Sequence, residues 1–529
     1  MKQFLKKPLG LAVAATLAMG GMAAFTNANA ATDASALGDA AIVPYYTVKG
    51  NFITGIQVLN TSAHTVVAKV RLRRDTDSAD VLDFNVVLSP YDVWNGYVDD
   101  SSGRLSFSTT DNTCTAPTNA GTLLAPTDAQ GGNLTGAEEG YIEVIGMAQA
   151  ADPDSANADQ TAVAILARAE GQLAPTAAKH NGDTPLDCNV VEDNFLAANV
   201  TAGTATKVSN TYSLPATLSS FNATRGTVWG DVAADALKVT YFIRDGASGM
   251  EFGDNATHLK DFSKVAMMTN QEAGQGLSGG NTNGFDFPDL DGGGSLTAGA
   301  LGAASVGSAL NRGTATGSYN AVVRADLGAA SIMNHWSYNT SNNVATDWVV
   351  TVPGQYLMID PKWVAGNGEV LGVNTDIPLT ATLTIYDREE KEKKGGEVVV
   401  SPGQGNAKTS FPNEVNVVQW GGKSVFNSEN VVSADPFSSG ITQQFGWASL
   451  SLQSSTNANA NITGLLIYDL TDTTGIAPTA ANDGTVTAVQ RTDHYAPQNH
   501  APVIGFTAWQ RKFSTAEKNY GRIVGHSRK

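Results

Sequence analysis

Cysteine is almost absent from this sequence of 529 residues, which contains only Cys114 and Cys188. A reactive thiolate needs a basic environment, yet Asp111 and Asp187 are the nearby charged residues. We therefore predict one disulfide between Cys114 and Cys188, as is usual for an exported protein. Two free thiols are the alternative.

Long apolar runs are also missing, because no segment after residue 30 offers about 18 consecutive apolar residues, the length of a membrane-spanning helix. Residues 1–30 have a lysine-rich start, a short apolar middle and the sequence Ala28-Asn29-Ala30 at the end. This pattern predicts a cleaved secretory signal peptide. No cysteine follows for a lipid anchor. We expect the mature chain at the cell surface or outside the cell, with the periplasm as another possibility.

Positive charge is scarce, since 33 Lys and Arg residues face 50 Asp and Glu residues, for a net charge of −17. Loss of the signal peptide, with three lysines and no acid, would change this to −20. Such a chain repels phosphate polymers, so nucleic acid is excluded as an expected partner. Residues 511–529 differ, with six basic residues and one acid. We predict a basic C-terminal tail that is solvated; the alternative is a tail that docks on an acidic protein surface, its own or a neighbour's, or on anionic envelope glycans.

Helical periodicity is rare, and alternation with a period of two is common. In residues 66–73 apolar side chains alternate with Lys69, Arg71 and Arg73, and residues 82–88 repeat the alternation. Two such runs around a polar connection predict a β-hairpin, with its basic side chains facing water. The connection, Asp75 to Asp80, is expected to be a charged turn.

Further strand-like runs recur along the chain, which predicts an all-β protein with two or more antiparallel β-sandwich domains of immunoglobulin-like type. Long loops rich in Gly, Ser, Thr and Asn are expected between the strands. The predicted organisation is a signal peptide (1–30), an N-terminal sandwich region with disulfide-tied loops (31–273), a linker or surface loop (274–318), a C-terminal sandwich region (319–510) and the basic tail (511–529).

One acidic loop is a candidate cation site. Asp286, Asp289 and Asp291 lie close together beside three glycines, and Ca²⁺ prefers several oxygen ligands from a loop that wraps closely. The spacing departs from an EF-hand loop, and the alternative is a solvated acidic turn. Calcium is the only cofactor that we consider.

No catalytic residues are predicted. Gly276-Leu277-Ser278-Gly279-Gly280 matches a nucleophile-elbow pattern but lacks the flanking strand and helix that the elbow requires. His494 and His500 match no zinc spacing. Tryptophans including Trp229, Trp336, Trp420 and Trp447 could stack on sugars or fill the core.

These observations favour an exported, non-enzymatic structural or adhesive protein that self-associates, as in a surface layer or matrix, with calcium as a candidate assisting ion. The alternative is a secreted polysaccharide-active hydrolase or a glycan-binding protein. A periplasmic binding module, recognisable by an apolar pocket, is a third alternative.

Overall fold

The computed structural model describes residues 36–76, 78, 80–116, 122–125, 136–150, 174–189, 191, 229–230, 232–262, 290, 323, 326–354, 379–389, 392–394, 409–411, 413–437, 441–452 and 502–529. Nearly all regular structure in these residues is β-strand, with one short α-helix, α1 (Ala174–Ala177). None of the described helices has the length and apolar character that crossing a membrane requires. The predicted signal peptide lies outside the described residues.

The described residues form fifteen strands before residue 260, and we number them in chain order. They are β1 (Ala40–Thr47), β2 (Phe52–Asn60), β3 (Val66–Arg74), β4 (Asp80–Leu88), β5 (Val93–Asp99), β6 (Ser106–Ser108), β7 (Cys114–Ala116), β8 (Thr122–Leu124), β9 (Glu139–Ala150), β10 (His180–Asn181), β11 (Thr184–Pro185), β12 (Trp229–Gly230), β13 (Leu237–Asp245), β14 (Glu251–Asn255) and β15 (Thr257–Leu259).

Eleven further strands follow residue 330. They are β16 (Ser331–Ser337), β17 (Val344–Thr351), β18 (Leu379–Asp387), β19 (Glu392–Lys394), β20 (Thr409–Phe411), β21 (Val415–Trp420), β22 (Val431–Ala434), β23 (Phe445–Leu452), β24 (Ile504–Arg511), β25 (Tyr520–Gly525) and β26 (Ser527–Arg528).

The first sandwich pairs two sheets. Sheet A has the order β14-β13-β2-β5-β6-β8, and sheet B has the order β15-β1-β9-β3-β4-β7, with β12 attached to β9. Alternate residues of facing strands, such as Val70, Phe84 and Trp94, are buried in the core between the sheets. The apolar alternation of the sequence therefore places one face of each sheet in a dry interior.

The second sandwich pairs two further sheets. Sheet C has the order β19-β18-β23-β16-β26, with β20 attached to β18, and sheet D has the order β22-β21-β17-β24-β25. The described pairings are antiparallel except for β21 with β22. Trp336 stacks on Trp420, with ring centroids 5.5 Å apart, in the core between these sheets. The predicted all-β sandwich class is confirmed.

Sheet D belongs to both sandwiches. One of its faces, with Trp348 and Val350, packs against sheet C, whereas the other, with Val349 and Phe506, joins the core of the first sandwich. The key contact is Phe426, whose ring centroid lies 5.1 Å from that of Tyr45. Its ring also contacts those of Phe52, Phe252 and Phe506. The two sandwiches therefore share a continuous apolar core.

The predicted hairpin is present, since β3 and β4 pair from Val66 with Leu88 to Leu72 with Leu82. However, the prediction that its basic residues face water is wrong. Lys69, Arg71 and Arg73 are buried on the outer face of sheet B. Helix α1 and the segment up to Val191 cover part of this face, where Ala177 and Val191 pack on Val67 and Val87.

The segment 511–529, predicted to be a basic tail, contributes two strands. Strand β25 pairs with β24 in sheet D, and β26 pairs with β16 in sheet C. The predicted linker 274–318 lies outside the described residues except for Leu290, which is buried in the shared core.

The predicted disulfide is present between Cys114 on β7 and Cys188, which are 74 residues apart in sequence. Both sulfur atoms belong to the apolar cluster that covers the outer face of sheet B. The bond therefore holds the segment that carries α1 against the sheet.

Removal of this disulfide should lower the free energy of unfolding. For the double variant Cys114→Ser/Cys188→Ser we expect a loss of about 2 to 4 kcal/mol, because the unfolded chain regains the entropy of a long closed loop. Urea unfolding with and without reductant measures the effect. Reductant should destabilise the wild type and leave the variant unchanged; superimposable unfolding curves for the two proteins would contradict the expectation.

Candidate functional site

The outer face of sheet A is an exposed face with apolar side chains at its centre. Along β5, Val93 is 44% exposed and Tyr97 is 38% exposed, while Trp94 and Gly96 between them are buried. Val93 is the register partner of the half-buried Leu59 on β2. A polar row with Asn95 and Gln57 lies between this pair and Tyr97. An exposed apolar patch rimmed by polar residues is typical of an interaction site.

A glycine gives this face its flat surface. Gly55 lies between Phe242 and Tyr97 in the cross-strand register. A Cβ atom on Gly55 would lie 2.2 Å from the ring of Phe242, so only glycine lets that ring lie over the strand. The row formed by Phe242, Gly55 and Tyr97 is thus a low, apolar strip across three strands.

The outer face of sheet B holds a row of buried charges. Asp83, Arg71 and Glu143 are register partners on β4, β3 and β9. Arg71 Nη2 lies 3.6 Å from Asp83 Oδ2, and Arg71 Nη1 lies 3.9 Å from Glu143 Oε2. Arg73 Nε donates to Glu143 Oε1 at 3.3 Å. Because these groups are away from water, each cation depends on carboxylates for its stabilisation.

A second buried group of charges lies where the sandwiches meet. The hydroxyl of Tyr45 donates to Glu139 Oε2 at 2.7 Å, and the backbone N–H of Glu429 donates to Glu139 Oε1 at 3.1 Å. Lys49 Nζ bridges Glu139 and Glu429, at 3.6 and 2.9 Å. Glu139 therefore links the first sandwich to the loop that follows β21 in the second.

Asp75 adds further bonds across the same junction. Its backbone N–H donates to the carbonyl of Glu139 at 3.0 Å, and its carbonyl accepts from the N–H of Val415 at 3.0 Å. Its Oδ2 accepts from Asn430 Nδ2. The other oxygen, Oδ1, is buried and accepts no hydrogen bond from the part of the chain that the structure describes. The residue expected in an exposed turn is therefore a buried junction residue.

Asp347 on β17 orders the loop that carries Phe426. Its Oδ2 accepts from the N–H groups of Val425 and Phe426, at 2.7 and 3.1 Å, and from the hydroxyl of Ser424 at 2.9 Å. One carboxylate oxygen therefore fixes three consecutive residues of the loop, which places the Phe426 ring in the shared core.

The carboxyl groups of Asp75 and Asp347 have pKa values well above the ordinary value of an aspartate. Burial raises the pKa of Asp75 to about 8, and the negative charge of Glu139 adds to the rise. Burial also raises the pKa of Asp347 to about 7, against the opposing effect of its three hydrogen bonds. Neither residue was identifiable as buried from the sequence, because their partners are far away along the chain.

Most of the predicted site residues lie outside the described part of the structure. This holds for Asp286, Asp289 and Asp291 of the calcium candidate, for Gly276 to Gly280, and for His494 and His500. Among the residues that the structure does describe, no three His, Cys, Asp or Glu side chains are grouped as metal ligands.

The tryptophans divide between core and surface. Trp336 and Trp420 are fully buried, whereas Trp447 on the outer face of sheet C is 43% exposed. Of the four candidates for sugar stacking, Trp447 alone has both a described side chain and an exposed ring; the side chain of Trp229 is not among those described.

No protein-family model, no curated protein and no solved structure matches the chain. The fold and its exposed faces define the chain as an all-β protein of two sandwiches that share a sheet.

Proposed function

We propose that the chain is an exported, non-enzymatic structural or adhesive protein that acts by self-association at the cell surface or in the extracellular space. The observation that carries this proposal is the outer face of sheet A, where Tyr97 is exposed in the same row as Phe242 and Val93 is exposed further along β5. Burial of such a face against another protein removes apolar area from water, which is the main favourable term in association.

A second copy of this chain is the occupant that the charges on this face favour. Arg244 and Glu251 are register partners on β13 and β14, and both are exposed. Opposite charges side by side suit a two-fold interface, because each residue meets the other type in the partner copy. A partner of one net charge would gain from one of the two residues and be repelled by the other.

Export is supported by the lysine-rich, apolar leader and by the disulfide between Cys114 and Cys188. Calcium enters the proposal as an assisting ion held by Asp286, Asp289 and Asp291. A cation bridging acidic copies would reduce the repulsion between mature chains of net charge −20.

The two junction carboxyl groups with raised pKa values, Asp75 and Asp347, support a structural role over hydrolysis. A general acid must reach the glycosidic oxygen of a polysaccharide, and its pKa is commonly raised. Asp75 and Asp347 have that pKa property, but both are buried in the junction between the sandwiches. We assign them to the packing of the two sandwiches.

Sedimentation velocity on the mature protein tests self-association. We expect oligomers in the wild type and a shift to monomer of at least about tenfold in dissociation constant for Val93→Ser/Tyr97→Ser, because this variant removes the apolar centre of the face. Phe445→Ser, which changes an exposed ring of sheet C, is the matched control and should leave association unchanged.

Repeating the measurement with calcium and with a chelator tests the assisting ion. Calcium should strengthen the association of the wild type, and the chelator should weaken it. A wild-type protein that stays monomeric at all concentrations and in both buffers would contradict the proposed function.

A further inference from the structure

A second exposed surface lies on the other sandwich and differs in chemistry from the face of sheet A. In sheet C, Tyr386 and Trp447 are register partners whose rings stack 4.2 Å apart at 12°. Phe445, on the same strand and face as Trp447, is 48% exposed, and the guanidinium of Arg388 lies 5.5 Å from its ring centroid. Two exposed rings, Phe445 and Trp447, and the guanidinium of Arg388 thus lie together on this face.

The neighbouring edge of sheet D repeats the arrangement. Arg522 on β25 is the register partner of Trp509 on β24, and its guanidinium lies 5.6 Å from the Trp509 ring centroid. The exposed Tyr520 has its ring 5.3 Å from that of Trp509 and 6.0 Å from that of Phe513. The guanidinium of Arg511 lies 4.6 Å over the ring of Phe513.

Strand β16 joins the two parts into one surface. Ser337 is the register partner of Phe445, and its hydroxyl accepts from Trp509 Nε1 at 2.5 Å. Asn334, also on β16, donates from Nδ2 to the carbonyl of Val524 on β25 at 2.9 Å. The aromatic rings and arginines of sheets C and D are therefore neighbours across β16, and we call this the aromatic–basic surface.

The chain as a whole is acidic, with a net charge of −17, whereas three arginines, Arg388, Arg511 and Arg522, lie against the rings of this surface. Arg388 pairs with Glu389 at 2.7 Å, but both side chains remain more than half exposed. A local positive region on an acidic protein attracts an anionic ligand to that region and away from the rest of the molecule.

We propose that the aromatic–basic surface binds an acidic polysaccharide. Aromatic rings offer flat apolar faces to the C–H groups of sugar rings, and guanidinium groups form charge-assisted, bidentate hydrogen bonds to carboxylates and sulfates. On this surface each of three arginines lies over an aromatic ring, so apolar ring surface and positive charge are side by side, as a polymer of sugars that carry anionic groups requires. This site is separate from the face of sheet A and does not depend on self-association.

Affinity gel electrophoresis and fluorescence titration of the mature protein test the proposal with defined probes. We expect binding to polygalacturonate and to dextran sulfate, and none to neutral dextran. The affinity should fall between about 50 and about 300 mM NaCl, because salt screens exposed charges. Equal binding to neutral dextran, or stronger binding to single-stranded DNA than to either acidic polysaccharide, would overturn the assignment.

Variants locate the site. Trp447→Ala/Arg522→Gln should weaken binding of polygalacturonate by about tenfold, since it removes one exposed ring and one exposed guanidinium. The matched control is Tyr97→Ala/Arg244→Gln, which removes the same kinds of group from sheet A and should leave the affinity unchanged. Circular dichroism and thermal unfolding establish that both variants fold.

Different results would contradict the proposed self-association and the proposed polysaccharide binding. Loss of self-association in the sheet A variant with retained polysaccharide binding supports both sites. An unchanged affinity in Trp447→Ala/Arg522→Gln, or an equal loss in the control, would overturn the aromatic–basic surface and leave self-association standing.

Discussion

Replacement of Glu143 by alanine should lower the free energy of unfolding by about 3 to 5 kcal/mol. Glu143 is completely buried and serves both Arg71 and Arg73. Its removal takes away a carboxylate from two cations that have no access to water, and the lost attraction in a region of low dielectric constant is large. Urea unfolding of the variant and the wild type measures the difference.

Two controls show whether the loss of stability comes from the buried negative charge. One keeps the side-chain volume of Glu143, and the other removes an ion pair that is exposed. Glu143→Gln keeps the volume of the side chain and should show most of the loss, because the negative charge is the stabilising feature. Glu389→Ala breaks the exposed pair with Arg388 and should cost less than about 1 kcal/mol. Equal stability of Glu143→Ala and Glu389→Ala would contradict the importance of the buried row.

A rise from about pH 5 to about pH 9 should destabilise the junction between the sandwiches. The pKa of Asp75 is about 8 in the folded protein, above its ordinary value of 3.8 in an unfolded chain. The folded state therefore binds the proton on Asp75 more tightly than the unfolded state does. The stabilisation from this proton is complete below the unfolded pKa, and it is lost as the pH rises through the folded pKa. Between about pH 5 and about pH 9 the loss is roughly 4 kcal/mol, at about 1.4 kcal/mol for each pH unit up to the folded pKa. Ionisation of Asp347, whose pKa is about 7, should also lower the stability as the pH rises.

The variant Asp75→Asn isolates this effect. Asparagine is neutral at every pH and retains an oxygen that can accept from Asn430. At about pH 9 the variant should be more stable than the wild type, and its stability should depend less on pH. Glu139, Lys49 and Arg74 remain around the site and provide the same surroundings in both proteins. Parallel stability profiles for the two proteins would show that the proton on Asp75 has no influence on the junction.

The strands were predictable because alternation is a local property of the chain. Side chains of residues 66–72 alternate in type, and the structure places them on alternating faces of β3. What alternation cannot indicate is whether another layer covers the second face. The burial of Lys69 and Arg71 depends on residues far away in sequence, including Glu143, so a local pattern that is typical of a wet face proved misleading.

At the junction, too, the local sequence does not show that a residue is buried by segments far away in the chain. Asp75 follows two arginines and precedes polar residues, which is typical of an exposed turn. Its burial results from contacts with Val415 and Asn430, which are more than three hundred residues later. The cysteines were different, because two residues can form only one disulfide.

The aromatic residues were the least predictable feature. Trp420 and Trp447 both lie in apolar-rich strands, but Trp420 points into the core between sheets C and D, and Trp447 points outward. Which one is exposed follows from the pairing of β23 with β18 and β16, and that pairing involves strands far apart in sequence.

Both faces of sheet D are packed against other sheets, and this limits how the two sandwiches can move relative to each other. A hinge between the sandwiches would have to withdraw the Phe426 ring from its contacts with Tyr45 and Phe52. Bending at this junction would therefore expose buried apolar side chains to water. The outer face of sheet A and the aromatic–basic surface thus keep a fixed orientation relative to each other. Two copies joined by a two-fold axis at sheet A would therefore hold their aromatic–basic surfaces at a fixed distance and angle.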